Sequence, residues 1–214
     1  MISPRGGSPI ASSKLTAPAA AAGRAPLVLA SASPRRLELL GQIGLVPDVV
    51  EACDIDETPS PGETPRRLAV RLASAKLAAA LGRHPGAFVL AADTVVALGR
   101  RLLGKPDDEA DAERMLGLLS GRAHRVLTAV AAAAPGGAKG GRLSETRVRM
   151  KRLTGAEIAA YLASGEWRGK AGGYGVQGRA GAFVTVLSGS YTGVVGLPLY
   201  ETHALLSGLG LKAP

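Results

Sequence analysis

Apolar and polar positions along this 214-residue chain alternate between two periods, one of helices and one of strands. Residues 26–30 are an unbroken apolar run, the length of a short buried strand. A helical pattern follows over 34–42 and stops at Gly41 or Gly44. A short strand around 48–52 leads into an acidic, proline-rich loop, 54–62. Over 64–81, Leu68, Leu72, Ala75 and Ala79 recur at helical spacing, with Pro65 at the first helical position and Gly82 as the stop. Residues 88–92 read as an apolar strand that reaches its end at Asp93-Thr94 and resumes over 95–98, before a turn at Gly99-Arg100.

A loop holds Gly104-Lys105-Pro106, and the next helix begins near Asp108. Glu109 and Asp111 suit its N-terminus, it buries Met115, Leu116 and Leu119, and Gly121 ends it. Residues 125–134 and 142–151 read as two strands joined by a glycine-rich loop, the second alternating Thr146, Val148 and Met150 with basic residues. Thr154 and Glu157 form a capping box ahead of a helix through Ile158, Tyr161 and Leu162. A polar, glycine-dense loop covers 165–178, a strand 181–187, and a last helix 199–207. Alternating helices and strands with one hairpin predict an α/β fold around a mixed sheet, and no internal repeat is visible.

Composition narrows this picture. Apolar residues make up 46% of the chain and aromatics 3%, so the core is built from Ala, Val and Leu. The single cysteine, Cys53, excludes an internal disulfide and fits a reducing compartment, hence a cytoplasmic location. The longest apolar run, 126–134, falls short of the roughly 18 residues of a membrane span. The net charge of +9 points to polyanions. Scattered basic residues and few aromatics favour a compact phosphate-bearing ligand over a nucleic acid. Residues 1–25 are rich in Ala, Ser, Pro and Gly, and no acid precedes Glu38. That start is compatible with a transit peptide, but its prolines and glycines interrupt an amphipathic helix, and it reads as a disordered low-complexity tail. One domain over 26–210 is expected to follow it.

Ser31-Ala32-Ser33-Pro34-Arg35-Arg36 carries the first chemical signal. Ser33 is a good N-cap and Pro34 a good first helical residue. Arg35 and Arg36 then add positive charge to a helix end that is already positive. A phosphate seated on this turn explains them, and so does a solvated arginine pair. Asp93, placed at a strand end, suits a general base or a ligand for a hard cation; it also suits a turn. Glu57, in the acidic loop, is a second carboxylate or a solvated one. Lys105 reaches a phosphate or solvent, and Lys76 sits mid-helix at the edge of the apolar face. The segment 165–178 mixes Trp167, Tyr174 and Gln177 with glycines and cations; it suits a wrap around a planar ligand, with Gln177 reading a base edge. The three histidines lack metal-ligand spacing, and no serine stands in a nucleophile elbow. No phosphate-binding loop of the kinase or GTPase type is present.

Taken in order, Ser31-Ala-Ser-Pro-Arg-Arg36, Ala92-Asp-Thr-Val95, Gly104-Lys-Pro106, Leu119-Ser-Gly-Arg-x-His124, Lys170-Ala-Gly-Gly-Tyr-Gly-Val-Gln-Gly178 and Gly189-Ser-Tyr191 through Leu199 resemble the Maf family of nucleoside triphosphate pyrophosphatases. The resemblance implies an elongated mixed sheet flanked by helices, with two lobes around a cleft, and in many members a homodimer. It implies hydrolysis of a nucleoside triphosphate to the monophosphate and pyrophosphate with a divalent cation, Mg²⁺ or Mn²⁺. Asp93 matches the catalytic acid and, with Glu57, the metal site. Arg35, Thr94 and Gln177 match positions tied to substrate choice, and Ser33, Arg36, Lys76 and Lys105 match the cleft. The Tyr-Gly-Val-Gln-Gly and Gly-Ser-Tyr versions resemble the dTTP/UTP subgroup, with a departure at Glu166-Trp167-Arg168, where that subgroup carries Glu-Pro. A nucleotide- or nucleic-acid-binding regulator of cell division, without turnover, is the rival class.

Overall fold

Seven strands form one mixed sheet in the computed structural model, which describes residues 24–212. The expected tail therefore lies, but for Arg24 and Ala25, outside the described residues. Strand β1 (Leu27–Ala30) pairs in parallel with β2 (Val49–Glu51) and with β3 (Phe88–Leu98). Strand β4 (Arg101–Leu103) folds back on the end of β3 through a turn at Gly99, whose φ of 63° glycine adopts without strain. Strands β5 (Ala123–Ala133), β6 (Lys139–Met150) and β7 (Val184–Ser188) continue antiparallel from β3, giving the order β2-β1-β3-β5-β6-β7.

Alternation along β1 and β3 splits the core in two. Val28, Ala30, Val89 and Ala91 face α2 (Pro65–Leu81), capped by the Thr64 side chain. Leu27, Leu29, Leu90 and Ala92 face the other way, toward α1 (Pro34–Gln42) and α6 (Leu199–Gly208). A third cluster gathers the far ends of β3, β5 and β6 against α3 (Glu109–Leu119) and α4 (Gly155–Ala163). The capping box at Thr154 and Glu157 forms as expected. A short helix, α5 (Tyr191–Val195), is capped by Ser190 and was not legible as a helix in the sequence.

Three local expectations are corrected. The strand does not end at Asp93: β3 runs through it, because β5 pairs β3 without interruption from Val89 to Ala97. The other edge of β3 is what breaks. Strand β1 pairs it only as far as Ala91, and β4 only from Val96 onward, so residues 92–95 have no strand partner on that side. Residues 179–183 make a 3₁₀ turn, and the last strand starts at Val184. Ser33 holds the N-cap position of α1, but its side chain makes no capping bond.

Candidate active site

A cavity of about 810 Å³ opens over the unpaired edge of β3. Ser33, Arg35, Arg36, Glu57, Lys76, Asp93, Thr94, Lys105 and Gln177 all line it, so every residue singled out in the sequence reaches one space. They come from five places: the turn after β1 and the first turn of α1, the acidic loop, the middle of α2, β3, and the loops at 104–106 and 165–178. Chains that bind ligands beyond the carboxyl end of a parallel strand share the β1-to-α1 part of this plan.

Asp93 and Thr94 are consecutive, so their side chains leave opposite faces of the sheet. Asp93 points to the α2 face and is 6% exposed. Lys76 Nζ lies 2.6 Å from Asp93 Oδ1 and 2.7 Å from Glu57 Oε1, and Lys105 Nζ lies 3.6 Å from Glu57 Oε2. Burial pushes the Asp93 carboxyl above the usual carboxylate range, with Lys76 and Arg36 opposing it. Burial also works to raise Glu57, but Lys76 and Lys105 outweigh it and hold that carboxyl below its ordinary value. Two carboxylates with different proton affinities thus flank one ammonium.

On the opposite face, the Arg36 guanidinium is fixed at three points. It donates to the Gly196 carbonyl at 2.9 Å, to Ser31 Oγ at 3.0 Å and to Thr94 Oγ1 at 3.3 Å. Burial lowers its proton affinity and Asp93 raises it. Arg35 stands nearby, and partial burial together with the Arg35 charge lowers Lys170. Counting Arg168 and Lys170, six cations face two carboxylates around the cavity. That imbalance suits a ligand with several negative charges, held at fixed positions away from bulk water.

Glu57 and Asp93 converge on the point where Lys76 Nζ now sits. One or two carboxylates are the protein donors Mg²⁺ takes when phosphate oxygens complete its shell, so the pair fits a hard divalent cation bound with substrate. Among the described residues, no group of three or more His, Cys, Asp or Glu converges as a metal cage.

The segment 165–178 is built differently from the expected wrap around a planar ligand. Trp167 is 5% exposed and donates to the Leu162 carbonyl at 3.1 Å; Tyr174, equally buried, meets His124 Nε2 at 2.7 Å. Both rings anchor the segment in the third core cluster rather than offering a free stacking face. Trp167, at the departure from the subgroup pattern, does not line the cavity. Gly172 binds the segment to the Gly104 carbonyl at 2.9 Å, and so to the loop carrying Lys105.

A family model for Maf-like proteins matches residues 26–209. The chain belongs to the Maf family. A dTTP/UTP pyrophosphatase of Hyphomonas neptunium is 64% identical over 190 residues, covering 89% of this chain and 98% of that one. One of Caulobacter vibrioides is 64% identical over 192 residues, covering 90% and 99%. A solved HAM1 protein from Coxiella burnetii, 18% identical, aligns over 61% of this chain and 75% of that one with a TM-score of 0.41. Within this Maf chain, Arg168, Lys170 and Thr128 are lining or supporting residues that sequence reasoning passes over. The signal for the first two is a pair of cations in a segment too aromatic for a linker. For Thr128 it is a lone polar side chain inside the apolar run 126–134.

Proposed function

We propose that this chain is a nucleoside triphosphate pyrophosphatase acting on dTTP and UTP. The observation that carries the reading is Asp93: a buried carboxylate of raised proton affinity in a cavity lined by six cations. The family and the activity named for its relatives, at 64% identity over nearly their whole length, agree with it. No observation favours a regulator without turnover.

Water attacks the α-phosphorus in line with the bond to the bridging oxygen of the β-phosphate. Asp93 accepts the proton of that water, and its raised proton affinity suits a base working near neutrality. The P–O bond to the leaving group breaks, and pyrophosphate departs with the bonding electrons. Lys76 holds the Asp93 carboxylate in place. Arg35, Arg36, Lys76 and Lys105 stabilise charge on the phosphate oxygens by position rather than by covalent chemistry. Ser33 marks the turn on which phosphate rests, and Thr94 and Gln177 select the base with Arg35. Glu57 and Asp93 hold the divalent cation, Mg²⁺ or Mn²⁺, which supplies Lewis-acid polarisation of the phosphate when bound.

Residues 26–210 act as one catalytic domain in this reading, which the span of the family match supports. The protein works as a cytoplasmic homodimer, which light scattering after gel filtration tests. No helix among the described residues is long and apolar enough to cross a membrane. The decisive experiment is a panel of nucleoside triphosphates with Mg²⁺ or Mn²⁺, scoring pyrophosphate against orthophosphate. Pyrophosphate is the expected product, and orthophosphate as the sole primary product refutes the reading. Asp93→Asn should abolish turnover while keeping the fold; a folded variant with wild-type turnover removes Asp93 from its role.

A further inference from the structure

The mechanism above makes no use of Thr128, although its hydroxyl is buried beside the site. Thr128 stands on β5 directly opposite Thr94 on β3 and is 1% exposed. Two groups meet its Oγ1: the Gly193 carbonyl at 2.7 Å and Thr94 Oγ1 at 3.1 Å. A hydroxyl has one proton to donate and two lone pairs. The carbonyl can only accept, so the Thr128 proton goes to Gly193. The bond between the two hydroxyls is then donated by Thr94.

This settles what Thr94 has left. Its proton is committed to Thr128, and one lone pair accepts from Arg36 at 3.3 Å. Arg36 is itself held by Ser31 Oγ and the Gly196 carbonyl, so it keeps that direction. Thr94 lines the cavity and is only half-buried. It therefore faces a ligand with one lone pair and no proton.

We propose that Thr128 is a specificity-determining residue, one that fixes the polarity of Thr94 so that the site meets the substrate with an acceptor only. The inference rests on the pyrophosphatase reading and on Thr94 facing the base. Uracil and thymine carry a proton on ring N3; cytosine presents a bare lone pair there. An acceptor-only Thr94 bonds the first two and opposes the third. Sites built to bond a donor strongly reject the analogue that lacks it, because a buried polar group is left unpaired.

Thr128→Val keeps the shape and removes the hydroxyl, which frees the Thr94 proton. Thr128→Ser keeps the relay. Turnover of UTP and of CTP is measured on the same samples, so any loss of folded fraction cancels in the ratio of their kcat/KM values. Binding of UTP and CTP to each variant in an Asp93→Asn background is measured by calorimetry. The wild type should favour UTP. Thr128→Val should lose at least tenfold of that preference, chiefly through KM, and Thr128→Ser should keep it. Thr128→Ala carries the same expectation should the valine variant not fold. A UTP:CTP ratio unchanged in the valine or alanine variant overturns the proposal, as does a serine variant that falls as far, or a wild type without preference. Absent turnover in the wild type, with a binding preference that still collapses in Thr128→Val, refutes the pyrophosphatase reading and leaves the relay standing.

Discussion

Lys76→Met tests the centre of the site through stability as well as activity. Methionine keeps most of the apolar stem and removes the ammonium that lies between Asp93 and Glu57. The Asp93 side chain is 9% exposed and that of Glu57 44% exposed, so Asp93 carries the loss. Removing one partner of a buried ion pair costs about 3–5 kcal/mol, a large part of the roughly 5–15 kcal/mol that holds a domain together. The sign with pH follows from the direction of the Asp93 shift. Its carboxyl binds a proton more tightly when folded than when unfolded, so native stability falls as pH rises through the folded value. Without Lys76 the proton affinity of Asp93 climbs further. The deficit of the variant should then be small at pH 5 and grow toward pH 8, by about 1.4 kcal/mol per pH unit until Asp93 ionises. Urea unfolding at the two pH values measures it, and the acid limb of kcat/KM should move to higher pH in parallel. Equal deficits at pH 5 and pH 8 would refute the argument, because a loss of packing alone has no such slope.

Further expectations probe other parts of the fold. His124 is buried, and burial lowers its pKa to about 4, so the unfolded chain takes up a proton before the native one does. Native stability should fall by about 2 kcal/mol between pH 7 and pH 5 on this account; His124→Phe should flatten that slope in urea unfolding, and an unchanged slope counts against it. Gly189 has a φ of 130°, and a Cβ there would lie 2.9 Å from Thr146 Cα. Gly189→Ala should therefore lose about 2 kcal/mol or more in thermal unfolding, whereas a wild-type midpoint would show that the turn relaxes. Chelation of divalent cations should stop turnover, and Mg²⁺ or Mn²⁺ should restore it; full turnover in excess chelator removes the metal role of Glu57 and Asp93.

Residues that carry local signals were legible in the sequence, and residues placed by long-range pairing were not. The helix over 65–81 follows from its apolar spacing, its Thr64 cap and Pro65, all local features. The charged members of the site were legible because each is costly where it stands: arginines on a helix start, a lysine in an apolar helix, an acid within an apolar strand. What escaped was the setting of Asp93. A strand end and a mid-strand site beside a missing neighbour look alike in one sequence, since the break lies in β1 and β4 rather than in β3. The aromatics of 165–178 misled for a related reason. In a chain with few aromatic rings, Trp167 and Tyr174 are needed in the core, and only the packed structure shows them there.

The gap beside β3 explains how adjacent residues divide the work. Side chains at positions 93 and 94 leave opposite faces of the sheet, and a strand paired along both edges would keep those faces apart. Because β1 stops at Ala30 and β4 begins only at Arg101, both faces open into one cavity at residues 92–95. Asp93 then meets Lys76 and Glu57 from the α2 side, while Thr94 meets Arg36 and Thr128 from the α5 side. A single peptide unit of a rigid central strand so fixes the distance between the reacting group and the group that inspects the base. Loops tolerate insertion at such junctions, but a one-residue slip of β3 would exchange the two roles between faces and lose both.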